Sequence, residues 1–344
     1  MPARRLGAGH AIAGFLAAAI GCAASPAMAQ TAVRFSLDWK FEGTQAPFVR
    51  ALDMGYFKAE GLDVTIDTGS GSVEPITRVA SGTYQMAFAD INSLIKFRDQ
   101  NPQLPIKAVF MVYNNPPFTV VGRKSKGVLA PKDIEGKKLG APAADGAFAQ
   151  WPIFVKANGI DASKVAIMNI GFQVREPMLV NGDVDAITGF SYASYINVKH
   201  SGLPQSDIVL MLMADYGVSL YGNAVLVHPA FAAEKPEAVR CFLRALVKGL
   251  KDTVADPAAA LTSVLKRNDI ANAGIELDRL QLAVRDNIVT PEVKANGYGA
   301  VDMARLDKSI DQIALTYDFR SGRPKATDIF DPSFLPPATA RKAD

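Results

Sequence analysis

In "VRFSLDW" (33–39) the apolar Val33, Phe35 and Leu37 alternate with polar neighbours, a period-two pattern that predicts a strand ending near Trp39. A helical segment follows, and Gly55 and Gly61 in "ALDMGYFKAEG" read as its stops. "LDVTID" (62–67) predicts a second strand, "SVEPITRVASG" a short helix closed by Gly82, and "YQMAFAD" (84–90) a third strand. This β-α-β-α-β order predicts a parallel sheet covered by helices, hence an α/β fold class. "IKAVFMVY" (106–113) and "FTVVGR" (118–123) predict two further strands around "NNPP" (114–117), whose prolines stiffen a crossing segment.

The pattern then restarts. "KKLGAPAADG" predicts a strand entering a Gly/Ala loop, "AFAQWPIFVKANG" a helix, "KVAIMNI" a strand, "QVREPMLVNG" a helix and "VDAITGF" a strand. "VASGTYQMAFAD" (79–90) and "LVNGDVDAITGF" (179–190) align without a gap, each an apolar helix end, a Gly, a polar pair and a short apolar strand. Two similar α/β lobes follow from that echo. After "IVLMLM" (208–213) and "YGNAVLVHP" (221–229), residues 232–317 carry almost only helical periodicity. The Pro-rich segment 321–344 predicts a loosely attached tail.

Composition changes this picture little. The 344 residues are 49% hydrophobic and 21% charged, enough for one or two globular domains. A net charge of +3 gives no field that points to nucleic acid or an anionic membrane. The N-terminus changes it more. "MPARR", the apolar "AIAGFLAAAIGCAA" (11–24) and the small-residue "SPAMAQ" have the three parts of a secretory signal peptide over residues 1–29, with cleavage after Ala29. A lipoprotein anchored through Cys22 is the weaker alternative, because Ala19 stands where such a box usually has Leu. The mature chain is then exported and keeps one cysteine, Cys241, expected as a buried structural thiol on a helix.

The loop Gly69-Ser70-Gly71-Ser72 after the second strand is the first candidate site. It lacks the Lys of a phosphate loop, and Glu74 occupies the last Gly position of a dinucleotide fingerprint. What remains is a backbone cradle beside a helix start, or a plain turn. Asp38 and Trp39 end the first strand, where ligands gather in open α/β sheets. Trp39 can stack on a flat ligand and Asp38 can accept from its N–H groups, or they can be core and cap. Asp90 ends the third strand at the same height and doubles as a helix cap. In the second lobe "APAADG" (Ala141 to Gly146) is the counterpart of the Gly/Ser loop. Gln173 and Arg175 open the next helix. Arg175 is the best group for an anion, although a surface ion pair is the plainer role. Phe190 and Tyr192 offer an aromatic wall, while Asn115, Tyr221 and Asn223 fall at the two crossings.

"LDW", "GYFKAEGLDVTI", "GTYQMAFAD" and "DIEGKKLGAP", in that order, resemble the ABC-transporter solute-binding proteins of the thiamine-precursor and sulfonate/nitrate/taurine group, over roughly 33–317. The resemblance implies a two-lobed periplasmic-binding-protein fold of the type II kind, with two crossing hinge strands. Lobe 1 would hold 30–115 and 222–320, and lobe 2 would hold 116–221. It implies a monomer that captures a small solute, needs no cofactor or metal, and docks an ABC permease at the membrane. The solute is expected to be a nitrogen-bearing, thiamine-pyrimidine-like compound, with a sulfonate, nitrate or taurine as runner-up. Fungal pyrimidine synthases are similar to this fold and carry a His shortly after a "DW"-like motif and a Cys cluster near the second crossing. Here Gln45 stands at the first position and "LYGNAVLV" has no Cys at the second, which argues against that chemistry.

Overall fold

A computed structural model describes residues 1–3 and 30–343. The expected signal peptide, its cleavage after Ala29 and Cys22 therefore lie outside the described residues. The alternating stretches form strands at the expected places. β1 (Thr31–Ser36), β2 (Leu62–Asp67), β3 (Met86–Asp90) and β4 (Lys107–Met111) belong to one sheet. β5 (Phe118–Arg123), β6 (Lys138–Ala141), β7 (Ala166–Asn169), β8 (Ala186–Phe190) and β9 (Ile208–Leu212) form a second, and β10 (Asn223–Val227) returns to the first. The chain is α/β and two-lobed.

The strand orders are β2-β1-β3-β10-β4 and β7-β6-β8-β5-β9. They are the same topology, with β3 and β8, the two strands of the sequence echo, at equivalent positions. The sheets are mixed, however, rather than parallel. β10 runs antiparallel to β3 and β4, and β5 antiparallel to β8 and β9. Each of these strands has just crossed from the other lobe, and it enters its sheet from the opposite end.

The helical third of the chain packs on the first sheet. Helix Pro236–Ala255 turns Val239, Phe242, Leu243 and Leu246 inward at helical spacing. Phe242 meets Phe35 of β1 at 4.9 Å between ring centroids and stacks on Phe57 at 4.8 Å. Both Phe35 and Phe242 are fully buried, which stabilises the lobe by roughly 2–3 kcal/mol per ring. Cys241, one residue away, is half-buried instead of buried, with Arg244 Nη2 3.0 Å from its sulfur.

The C-terminal segment is docked, contrary to its Pro-rich composition. Ile329 and Phe330 are buried, Phe330 bridges Ala108 of β4, and Arg341 donates to the carbonyls of Asn296 and Tyr298. Its prolines narrow the backbone and so lower the entropy lost on docking, and burial of these apolar residues favours the docked position.

Two segments cross between the lobes, 112–117 and 213–222. They bond to each other through Gly222 N, which donates to Tyr113 O at 3.0 Å, and Tyr113 N donates to Asn223 O at the start of β10 at 2.9 Å. Arg305 on helix Met303–Ala314 spans both, donating through Nη2 to Asn114 O (3.0 Å) and Leu220 O (2.9 Å). Its guanidinium lies 3.9 Å from the Tyr221 ring centroid. Glu292 accepts from Tyr221 Oη (2.6 Å), Asn114 Nδ2 (2.9 Å) and Arg305 Nη1 (2.8 Å). Among the described residues no helix is long and apolar enough to cross a membrane.

Candidate ligand-binding cleft

A parallel strand presents the carboxyl end of its backbone, and the loop beyond it, to one edge of the sheet. In both lobes that edge faces the other lobe. The loops meet around a cleft whose empty space, about 430 Å³, includes its opening to solvent, lined by Asp38, Trp39, Gly71, Ser72, Asp145, Gly146, Phe172, Arg175, Phe190, Tyr192 and Ala193. Each lining residue ends or follows β1, β2, β6, β7 or β8, the placement that open α/β sheets favour for ligands.

The two Gly-containing loops touch across this cleft. Gly71 has φ +88°, and a Cβ there would stand 3.1 Å from Ala144 O of the opposite lobe. A Cβ at Gly146 would stand 3.1 Å from Ser72 Oγ and 3.2 Å from Phe190 Cζ. These glycines let the lobes close on each other. Aromatic rings frame the remaining space. Trp39 of one lobe meets Phe172 of the other edge-to-face at 5.0 Å, and Phe190 meets Tyr192 at 5.7 Å.

The charges of the cavity are predominantly acidic. Asp38 is 4% exposed, and its Oδ2 accepts from Asn223 Nδ2 at 2.7 Å. Burial pushes its carboxyl up to about 7, against the pull of its own backbone N–H and of the neighbouring amides. Asp145 is 5% exposed and accepts from Thr188 Oγ1 at 3.1 Å and Ala147 N at 3.3 Å. Burial raises its carboxyl as well, opposed chiefly by Arg175. Arg175 is not a free anion receptor. Its Nε and Nη2 are spent on Glu176 Oε1 at 2.8 and 2.7 Å, and Nη1 lies 3.8 Å from Asp145. The guanidinium is thus matched by two buried acids.

The structure gathers Asp38, Trp39, Gly71, Ser72, Gly146, Arg175, Phe190 and Tyr192 of the expected residues at this cavity. Gln173 lines a wider outer groove that shares Trp39, Phe172 and Arg175 with it. The other expected residues lie elsewhere. Gly69 packs against Leu37 O, where a Cβ would be 2.2 Å away, and Ser70 is exposed beside it. Ala141 is buried at the end of β6. Asp90 caps helix Ile91–Gln100, its two oxygens taken by Asn92 and Ser93. Asn115 bonds to Asn287, and Tyr221 is held by Glu292 and Arg305 at the crossings. Asn223 acts from behind, through Asp38. Sequence reading misses Asp145, Phe172 and Ala193. Asp145 is the single acid of "APAADG", and Phe172 follows β7 as Trp39 follows β1, so both positions carried a signal.

Among the described residues no cluster of three or more His, Cys, Asp or Glu could hold a metal ion.

Comparison with known proteins adds lineage to this geometry. The model of the family described as NMT1/THI5 like matches residues 43–260. A formylaminopyrimidine-binding protein of Halalkalibacterium halodurans is 31% identical over 75% of this chain and 77% of its own. A riboflavin-binding protein of Chloroflexus aurantiacus is 27% identical over 62% and 60%. A 4-amino-5-hydroxymethyl-2-methylpyrimidine phosphate synthase of Schizosaccharomyces pombe is 22% identical over 67% and 68%. Among solved structures, the periplasmic aliphatic sulphonate binding protein of Escherichia coli superposes with a TM-score of 0.69 at 10% identity, over 89% of this chain and 94% of its own. At that identity the likeness shows the periplasmic-binding-protein fold alone.

Proposed function

The chain belongs to the NMT1/THI5-like family, and on that premise we propose that it is an extracytoplasmic solute-binding protein of an ABC importer, enclosing a flat, N–H-bearing heterocycle of the aminopyrimidine kind. One observation carries the ligand class: the cavity joins aromatic walls to two buried carboxylates, while its one guanidinium is already matched by acids. A sulfonate or nitrate entering there would meet Asp38 and Asp145 with no uncommitted cation among the lining residues. A ring bearing amino or ring N–H groups meets acceptors instead. Stacking on Trp39 contributes about 0.5–1.5 kcal/mol, and a hydrogen bond to an ionised Asp38 about 1.5–3 kcal/mol.

Capture follows from the two-lobed build. Trp39 with Asp38 belongs to one lobe, and Phe172, Asp145 and Phe190 to the other, so a ligand touches both sets only when the lobes meet. Binding therefore shifts the population toward the closed form, with the crossings as hinge. The closed monomer then docks its permease outside the cytoplasmic membrane. We read it as a binder rather than a synthase because Gln45, at the position where the synthase resemblance implies His, is buried outside the cavity lining.

Calorimetry on the chain beginning at Gln30 tests this. We expect heat with 4-amino-5-hydroxymethyl-2-methylpyrimidine or its formylamino relative, unchanged compound after incubation, and none with taurine, nitrate or an alkanesulfonate. Heat from the anions alone overturns the ligand class, and conversion of the pyrimidine overturns the binding role.

A further inference from the structure

Arg279 lies outside the cavity, on helix Ala273–Ala283, yet it is joined to both of the cavity's walls. Arg279 is 2% exposed. Nε donates to Glu276 Oε2 at 3.0 Å and stands 3.6 Å from Glu42 Oε2. Glu276 Oε2 in turn accepts from Gly43 N at 2.6 Å. Glu42 and Gly43 belong to the loop that continues from Asp38 and Trp39, so this half of the network holds the first wall.

The other half reaches the second lobe. Arg279 Nη1 donates to Tyr192 O at 2.9 Å, and Nη2 donates to Asn197 Oδ1 at 3.0 Å. Tyr192 lines the cavity and is nearly buried. The neighbouring Asp278 adds a second tie, accepting from Lys199 Nζ at 2.7 Å and lying 3.0 Å from His200 Nε2. Only a planar fork with donors on several sides can serve Glu276, Tyr192 O and Asn197 at once. A lysine in the same place keeps the charge and loses that geometry.

We propose that Arg279 is a positioning residue for the cleft: by bridging the loop behind Trp39 to the Tyr192 carbonyl, it sets the spacing of the two walls that a ligand experiences. It touches no ligand and acts through the atoms it holds. The inference rests on the reading of the cavity as the ligand site.

Two substitutions separate positioning from charge balance. Arg279→Met strands the acids Glu42 and Glu276, and should lower both stability and affinity. Arg279→Lys keeps a positive charge beside them but leaves Tyr192 O and Asn197 Oδ1 without their donors, and should melt between the parent and Arg279→Met while binding 4-amino-5-hydroxymethyl-2-methylpyrimidine about tenfold or more weakly, because the two walls are no longer held at their spacing. Should Arg279→Met fail to fold, Asn197→Ala removes one acceptor only and should weaken binding in the same direction. A readout without ligand accompanies these. In a Trp151→Phe background Trp39 is the sole tryptophan among residues 30–344, and acrylamide should quench it more in Arg279→Lys than in the parent.

Parent-like affinity together with parent-like quenching in Arg279→Lys overturns the proposal. If the parent binds no pyrimidine at all, the ligand reading has failed, and the quenching comparison alone decides the positioning role: increased quenching supports it and equal quenching overturns it.

Discussion

Glu292 at the crossings and Asp38 in the cleft are both acids partly or wholly withdrawn from water, and their surroundings differ in kind. Glu292 receives Tyr221, Asn114 and Arg305, two neutral donors and a cation. Burial alone would raise its carboxyl, but these partners together hold it below the ordinary range. Asp38 receives only neutral donors, the Asn223 amide at 2.7 Å, the Gln45 amide at 3.4 Å and its own backbone N–H, and no ion pair is found for it among the described residues. Burial therefore prevails, and its carboxyl is pushed up to about 7. An acid whose partners are complete belongs to the framework. An acid left without a cation beyond the end of a strand, facing aromatic rings, has capacity to spare for a positively charged or N–H-bearing ligand. Arg305 and Arg175 contrast less than expected: both are paired with acids of the protein, which weighs against the anion reading proposed as the alternative for the cleft.

The largest effect should come from the crossings. Arg305→Met leaves Glu292 short of its cation and frees Asn114 O and Leu220 O. We expect a loss of roughly 2–3 kcal/mol in urea unfolding, toward the lower figure because Arg305 is a quarter exposed. An unchanged midpoint would show that the crossings do not depend on this network. Next comes Asp38→Asn, which should cost about tenfold or more in pyrimidine affinity by calorimetry, while the melting temperature at pH 7 stays level or rises. If instead stability falls and affinity holds, Asp38 belongs with Glu292 and the contrast collapses. Trp39→Ala is the mildest of the three, expected at about 1 kcal/mol in binding. Equal affinity would take Trp39 out of the site.

Much of this contrast was legible in the sequence, for identifiable reasons. Alternation in 33–39 and the echo between 79–90 and 179–190 are local signals, and the two echo strands, β3 and β8, sit at the same place in their sheets. Because ligands gather beyond the carboxyl ends of parallel strands, Asp38, Trp39, Phe190 and Tyr192 could be named from strand ends alone. What failed depended on partners distant in sequence. Tyr221 looked like a cleft residue until Arg305, 84 positions on, stacked over it. The tail looked loose because its apolar contacts, such as Phe330 with Ala108, join segments more than two hundred residues apart. The direction of β10 depends on which end of the sheet it enters after crossing, and no periodicity records that. Arg175 lines the cavity as expected and also takes the ion-paired role expected as its plainer one, with a partner, Glu176, that stands next to it in the sequence.

The finest test of the comparison is its pH dependence, because the two acids carry opposite signs. The folded-state value of Asp38, about 7, lies above its ordinary 3.8, so the folded chain keeps this proton longer than the unfolded chain does. That contribution to stability is complete below about pH 3.8 and is lost as pH rises through about 7. Glu292 is held below its ordinary 4.5, so its contribution is complete above that value and is lost as pH falls toward the folded-state value. Thermal melts of the ligand-free chain between pH 4 and 8 should therefore show Asp38→Asn flattening part of any decline above pH 4. The same melts carried below pH 4.5 should show Glu292→Gln flattening part of the acid-side loss, from a lower starting stability. Asp90, Asp145 and Glu42 are also raised by burial and remain in both variants, so each substitution removes a share of the slope rather than all of it. Were Asp38→Asn to flatten the acid side instead, the carboxylate would be stabilised in its charged form. The cleft would then have to contain a donor that the Asn223 contact does not supply.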